Sequence, residues 1–349
     1  MEELSGVPCL VVTLCKSPNF GAYLQAFALK EVLTEYGYQV SFLNVYDTDN
    51  NKKRYRLLFR GWKRAPLSAL FNVRKLIAFK KAERKIKIVS RHELSRYKVA
   101  FIGSDEVWSV TNGTFNSVPE FFGLDLPGLL TFSYAPSIGN SGLEDMKRYP
   151  GFIQGIKEID MLSVRDYESL QVAVKLAHRN DTAMVLDPTF LYDFAADEKE
   201  FNAETPYLLV YTYGFDPDII EEVKFYAKKM GLKVISVGFY HSWVDKNISC
   251  GPFEFLSAVK GAECIITDTF HGSIFAIKYR KNFLSYGRHK NKVAHLLGSL
   301  GLSDNLVDAG FLSGGRIIET DYSEVESRLS SLIDNSRNYL ERCNSLVII

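Results

Sequence analysis

The opening forty-five residues follow a pattern that few folds accommodate. Cys9–Leu14 is a short run of apolar and β-branched residues and reads as a buried strand. Ser17-Pro18-Asn19-Phe20-Gly21 is a loop. Ala22–Tyr36 follows with apolar residues at 22, 26, 29, 33 and 36, a helical spacing that Gly37 stops. Val40–Val45 is then a second strand. Strand, loop, helix and strand in this order open a βαβ unit, which commits the chain to a parallel sheet with helices packed on its faces.

The alternation continues. Val99–Ile102 is a strand ending in Gly103-Ser104-Asp105, and Leu130–Tyr134 another ending in Ala135-Pro136-Ser137. Met161–Val164 runs into Arg165-Asp166 and a helix through Leu176, and Met184–Leu186 closes at Asp187-Pro188. The acidic, interrupted stretch Asp193–Pro206 reads as a linker. A second alternation follows: strand Tyr207–Tyr213, helix near Pro217–Met230, strand Lys233–Val237, helix near Pro252–Lys260, strand Cys264–Thr267, and a helix from Asp268 or Thr269. Ser323–Leu340 has the apolar spacing of a final amphipathic helix. The expected fold is α/β, with two doubly wound Rossmann-like domains facing across a cleft. Residues 1–192 form the first domain, 207–320 the second and 321–349 a C-terminal helix.

No run of 18 apolar residues is long enough to span a bilayer, and the acidic start Met1-Glu2-Glu3-Leu4 is unlike a secretory signal. Five scattered cysteines with no C-x-x-C pair read as reduced thiols of a cytoplasmic protein. The net charge of +1 argues against a nucleic-acid partner but hides an asymmetry. Between Lys52 and Lys98 stand 17 Lys/Arg against two acids, Glu83 and Glu93, interleaved with Leu57, Leu58, Phe59, Trp62, Leu67, Leu70, Phe71, Leu76, Ile77 and Phe79. A basic helical insertion at 52–98 fits an anionic membrane surface. It also fits an ordinary solvated insertion, or a polyanion such as RNA.

Polar residues follow strand after strand, which is where open α/β sheets hold ligands. The strongest constellation is Thr267-Asp268-Thr269-Phe270-His271-Gly272-Ser273, between a strand and a helix. The helix start offers N–H groups and a positive dipole end to phosphate or carboxylate. Gly272 admits close approach to the backbone, and Thr269 and Ser273 add hydroxyls. His271 can donate a charge-assisted hydrogen bond or move a proton near neutral pH. The same residues also make an ordinary helix cap beside a satisfied histidine. Arg165 can grip an oxygen pair bidentately or simply pair with Asp166 or a neighbouring carboxylate. Asp105 and Glu106 could accept sugar hydroxyls, and Trp108 could platform a sugar ring; the competing reading is a cap and a core tryptophan. Asn19, Gly21 and Gln25 in the first loop, and Tyr134 and Ser137 after a later strand, are weaker candidates. P-loop, dinucleotide, nucleophile-elbow and H-E-x-x-H motifs are absent. The six histidines show no metal-ligand spacing with acids or cysteines, so neither a metal nor a cofactor is expected.

In order along the chain, Asn19-Phe20-Gly21-Ala22…Leu24-Gln25-Ala26, Gly103-Ser104-Asp105-Glu106-Val107-Trp108, Ser133-Tyr134-Ala135, Ser163-Val164-Arg165-Asp166, Leu186-Asp187-Pro188-Thr189 and Ile266–Ser273 resemble the polysaccharide pyruvyl transferase family. The resemblance implies a glycosyltransferase-B-like fold and transfer of a pyruvyl group from phosphoenolpyruvate onto two hydroxyls of a sugar, closing a cyclic ketal. It also implies acceptors that are sugars or lipid-linked oligosaccharides. The family usually has Gln where Glu106 stands, Asn at Ser109 and Ser at Thr269; Thr269 keeps the hydroxyl, while Glu106 adds a negative charge to the cleft.

On this reading Arg165 and the Thr269, Phe270, His271, Gly272, Ser273 segment hold the donor anions. His271 protonates the methylene carbon or stabilises the departing phosphate, and Asp105 or Glu106 orients or deprotonates the acceptor. Asn19, Gly21, Gln25, Trp108, Tyr134 and Ser137 complete the acceptor side. The protein is then cytoplasmic, at the inner face of the membrane if the basic stretch binds lipid. The alternatives are a metal-independent glycosyltransferase with a nucleotide-sugar donor, or a non-catalytic glycan-binding relative.

Overall fold

The computed structural model describes residues 6–45, 56, 58–59, 66–287 and 291–348. The first half builds β1 (Val7–Val12), α1 (Phe20–Glu35), β2 (Tyr38–Leu43), α2 (Pro66–Ala82), β3 (Ile88–Val89), β4 (Val99–Asp105) and β5 (Leu130–Pro136). It goes on through the short helices α3 (Leu143–Met146) and α4 (Pro150–Glu158) to β6 (Ser163–Val164), α5 (Tyr167–Lys175) and β7 (Ala183–Met184). The second half builds β8 (Tyr207–Tyr211), α6 (Pro217–Met230), β9 (Lys233–Val237), β10 (Lys246–Ile248), α7 (Pro252–Lys260), β11 (Cys264–Thr267), α8 (Phe270–Lys278), β12 (Asn282–Tyr286), α9 (Asn291–Ser299), β13 (Leu306–Val307) and α10 (Tyr322–Ile348).

Two parallel sheets result. The first runs β3-β2-β1-β4-β5 and the second β10-β9-β8-β11-β12-β13; β6 and β7 pair separately. Counted within its own half, each sheet has the order 3-2-1-4-5, extended by a sixth strand in the second. That order reverses beside the first strand, and the reversal opens a crevice at the strands' carboxyl ends. Both sheets therefore offer a binding crevice, the first between β1 and β4 and the second between β8 and β11.

Helix α1 lies between the two halves, and Phe20 through Leu29 are all buried. A helix apolar on one stripe would leave a wet face; this one is packed on every side at its amino end. Its Phe20 ring stacks on Phe255 at 4.4 Å and lies 5.4 Å from Phe79 and 5.9 Å from Tyr211, so one core continues across the base of the cleft. The acidic 193–206 stretch is tied to both halves: Asp197 accepts from Lys85 at 2.5 Å and Glu198 from Lys260 at 2.7 Å. Helix α10 is longer than its sequence pattern suggests and returns to the first half. There the Tyr339 hydroxyl donates to Ser133 O and the Ser336 hydroxyl accepts from Leu186 N.

The basic 52–98 stretch is not a self-contained insertion. Besides residues 56, 58 and 59, its described part includes α2, two 3₁₀ turns (Glu83–Lys85 and Arg91–Arg96) and β3, which pairs with β2 at the sheet edge. The portions at 51–55, 57 and 60–65 lie outside the described residues.

Candidate active site

Both crevices open into one cavity of about 740 Å³. The loop after β1 brings Asn19 to it, β4 brings Asp105 and Glu106, the loop after β8 brings Tyr213, and the turn after β11 brings Thr269, Phe270 and His271. Arg165, which follows β6, reaches it from below.

Arg165 is buried within a cluster of carboxylates. Its Nη1 donates to Asp187 Oδ2 at 2.6 Å and Ser104 Oγ at 3.3 Å, and its Nη2 donates to Asp105 Oδ1 at 3.0 Å. The bidentate fork expected to face a ligand is thus engaged by the protein's own acids, which corrects the simplest role for Arg165. Burial opposes the guanidinium charge, but Asp105 and Asp187 outweigh it and raise its pKa. Burial likewise pushes the Asp187 pKa up, and His271 and Arg165 overcome that and hold the carboxyl well below the usual carboxylate range. Arg165 Nε is buried with no hydrogen-bond partner. Asp105 has φ +74°, a left-handed conformation uncommon outside glycine, and that backbone turns its carboxylate onto Arg165.

The start of α8 is capped by Thr269, whose Oγ1 accepts from Gly272 N at 2.9 Å; Ser273 N donates to Thr269 O at 3.2 Å. The N–H groups of Phe270 and His271 open the helix, where no intrahelical carbonyl reaches them. They sit at the positive end of the helix dipole, at the cavity wall. His271 Nε2 lies 3.4 Å from Asp187 Oδ2 without hydrogen-bond geometry, buried and unpartnered. Arg165 Nε and His271 Nε2, on two residues that line the cavity, are therefore both buried without hydrogen-bond partners. Groups of this kind are rare unless a ligand or water satisfies them. Close packing fixes the imidazole, since a Cβ on Gly21 would stand 2.1 Å from His271 Nδ1. Gly272 is equally constrained, with Thr267 Oγ1 2.1 Å from where its Cβ would be.

Phe270 lies under two cations, with the Arg165 guanidinium 4.8 Å and Lys292 Nζ 5.9 Å from its ring centre. Lys292, from α9, also pairs across the cleft with Glu106. The negative charge that Glu106 adds is thus matched from the opposite domain. Asn19 caps α1 by accepting from Ala22 N at 3.2 Å, and its Nδ2 donates to the Tyr213 hydroxyl, also across the cleft.

Several residues expected at the site are elsewhere. Trp108 is fully buried and donates from Nε1 to Phe121 O at 2.7 Å, so it is core and not a sugar platform. Tyr134 is buried and its hydroxyl donates to Leu186 O. Gln25 Nε2 is spent on Thr13 Oγ1 and Ala22 O. Ser137 Oγ accepts from Gly139 N, and the Ser273 hydroxyl bonds Thr269 O and Ser285 Oγ. These five hold the strand ends in shape and do not line the cavity. The Gly272 N–H is consumed by the cap and is not free for a ligand.

Conversely, Lys292, Tyr213 and Lys75 carry no site signal of their own in the sequence, and Asp187 is marked only by its place after a strand and by the Leu186-Asp187-Pro188-Thr189 motif, with no role attached. Lys75, on α2, is a buried cation whose Nζ donates to Gly238 O at 2.6 Å, with burial lowering its pKa to about 8. Among the described residues no three His, Cys, Asp or Glu side chains stand close enough to hold a metal ion.

Two Rossmann-like sheets facing each other across a cleft, with the helix start and the charged cluster at their switch points, define a glycosyltransferase-B-like fold. The family model for polysaccharide pyruvyl transferase matches residues 19–290. The chain belongs to this family and is a transferase of polysaccharide pyruvylation.

No curated protein matches the chain. Among solved structures it is similar to the glycotransferase of kitacinnamycin (11% identity, 98% of each chain covered, TM-score 0.49). A putative UDP-N-acetylglucosamine 2-epimerase from Listeria monocytogenes is also similar (8% identity, 96% of this chain and 90% of that one, TM-score 0.49). So is a glycosyltransferase from Streptomyces sp. SF2575 complexed with thymidine diphosphate (12%, 95% and 96%, TM-score 0.45).

Proposed function

We propose that the protein transfers the pyruvyl group of phosphoenolpyruvate to two hydroxyls of a sugar in a polysaccharide precursor, forming a cyclic ketal and releasing phosphate. The observation that carries this reading is the pair of buried, unpartnered nitrogens, Arg165 Nε and His271 Nε2, on residues that line one cavity with the start of α8. A donor with both a carboxylate and a phosphate needs several such groups close together, and helix N-termini bind these anions readily.

In the first step a sugar hydroxyl adds to the central carbon of the enol phosphate. The alkene electron pair takes a proton at the methylene carbon, and the hydroxyl gives up its own. His271, held beside Asp187, supplies the proton to carbon, and Asp105 orients the attacking hydroxyl and receives its proton. In the second step the C–O bond to phosphate breaks with its electron pair leaving on phosphate. The second hydroxyl closes the ring and its proton leaves with the phosphate. The α8 amides and Lys292 steady the charge on the departing group. Phe270, Thr269 and Gly21 position these donors, while Asn19, Glu106 and Tyr213 border the acceptor side.

The same reading puts the enzyme in the cytoplasm at the inner face of a membrane, on a lipid-linked acceptor. Five cysteines, all buried and none in a disulfide, are in keeping with a reducing compartment. The test is turnover: phosphoenolpyruvate with oligosaccharides from surface polysaccharide should release phosphate and add one pyruvate ketal to the glycan by mass. Consumption of a nucleotide sugar in its place would refute the reading.

A further inference from the structure

Helix α2 has two faces of opposite use. Its inner side carries Phe71, Lys75, Phe79 and Ala82, all buried, and contributes Ser68, Asn72 and Lys75 to the cavity wall. Its outer side exposes Leu67 (64%), Leu70 (48%), Val73 (42%) and Ile77 (55%). No other described element exposes more than two large apolar side chains. Leu67, Leu70, Arg74, Ile77 and Lys81 follow the three- and four-residue steps of one helix face. Arg74, Lys80, Lys81 and Arg84 are exposed on or beside it, and α2 contains no acid. An exposed apolar stripe rimmed by cations, with Glu83 the one acid beside its carboxyl end, has the charge and the shape of an in-plane helix on an anionic lipid surface.

We propose that the outer face of α2 seats the protein on an anionic bilayer, so that the cleft behind the helix is presented to an acceptor tethered to that bilayer. A helix is about 10–12 Å across, so the cavity wall would stand within about that distance of the lipid headgroups. The tethered acceptor rests on the pyruvyl-transfer reading. The lipid contact does not, because Leu67, Leu70, Val73 and Ile77 do not line the cavity.

The experiment is co-sedimentation of the full chain with phosphatidylcholine vesicles, with and without phosphatidylglycerol. Binding is expected only with phosphatidylglycerol, and it should weaken with added salt. Leu70→Gln/Ile77→Gln and Arg74→Glu/Lys81→Glu should each lower the partition coefficient by about tenfold or more. Equal binding to both vesicle types, or wild-type binding by both double variants, would overturn the proposal. A dimer in light scattering that Leu70→Gln/Ile77→Gln dissolves would also overturn it, because a second copy would then be the partner. Phosphoenolpyruvate affinity, measured on the same variants, should be unchanged. Vesicle binding without any phosphoenolpyruvate binding would defeat the donor reading and leave the lipid face standing.

Discussion

Replacing Asp187 with Asn should separate chemistry from donor binding. Asp187 is buried, accepts from Arg165 Nη1 at 2.6 Å, from Thr189 N at 3.1 Å and from Thr189 Oγ1 at 2.7 Å, and faces His271 Nε2. Asn keeps an oxygen for Thr189, and Arg165 keeps Asp105, so the cost falls short of a full buried-pair rupture. We expect about 2–3 kcal/mol, the value of one charge-assisted hydrogen bond with some desolvation left uncompensated. With an unfolding entropy of about 2 cal/mol/K per residue over 349 residues, that is about 3–4 °C in Tm.

The sign with pH follows from the depressed pKa of Asp187. Its contribution is fully present above the unfolded carboxylate value and is lost as pH falls toward the lower folded value. The Tm gap between wild type and variant should therefore be widest near neutrality and shrink below about pH 4. Turnover should fall by about 10²–10⁴, because the negative charge 3.4 Å from His271 Nε2 is lost from beside the proposed proton donor. Donor affinity should hold or improve, since a negative charge has left the anion site and Arg165 Nη1 is released. The assays are melting curves against pH, steady-state kinetics and calorimetry. Weakened phosphoenolpyruvate binding with kcat little changed would rule out these roles for Asp187 and His271.

Glu106→Gln removes the cross-cleft partner of Lys292; stability should drop by no more than about 1 kcal/mol, while the freed cation tightens phosphoenolpyruvate binding in calorimetry. Trp108→Phe should cost about 2–3 kcal/mol in denaturant unfolding, through the lost bond to Phe121 O and the void, and leave acceptor KM unchanged. Lys75→Met should raise Tm at pH 7, because the buried ammonium is disfavoured in the folded state. Between the folded value of about 8 and the ordinary lysine value of 10.5 the unfolded chain binds more protons, so wild type gains stability and the gap closes as pH rises through that window.

The strand-end pattern made the architecture legible: β1, β2, β4, β5 and β8 carry apolar runs that stop at polar residues, and Arg165, Asp105 and His271 stand out by that position together with the family motifs that contain them. What local sequence could not supply was direction. Trp108 follows a strand near the cleft, yet its indole turns inward because Phe121 O awaits it 13 residues on. Lys75 looks like one more solvated cation in a basic run, and its burial depends on Gly238 O and on the Phe239 ring from the other half. Glu106 looked like an uncompensated charge because Lys292, its partner, is 186 residues away. Short strands such as β3, β10 and β13 have too few residues for any periodicity to show, and only their neighbours in the sheet define them.

The central claim is that the α8 start and the Arg165–Asp187–His271 cluster form a site for a small, doubly anionic donor. Calorimetric titration of phosphoenolpyruvate and a panel of nucleotide sugars, with wild type, Arg165→Ala and His271→Ala side by side, tests it most directly. Phosphoenolpyruvate alone should bind wild type, and both variants should bind it at least about tenfold more weakly. Preferential binding of a nucleotide sugar, or phosphoenolpyruvate binding that neither substitution disturbs, would contradict that claim.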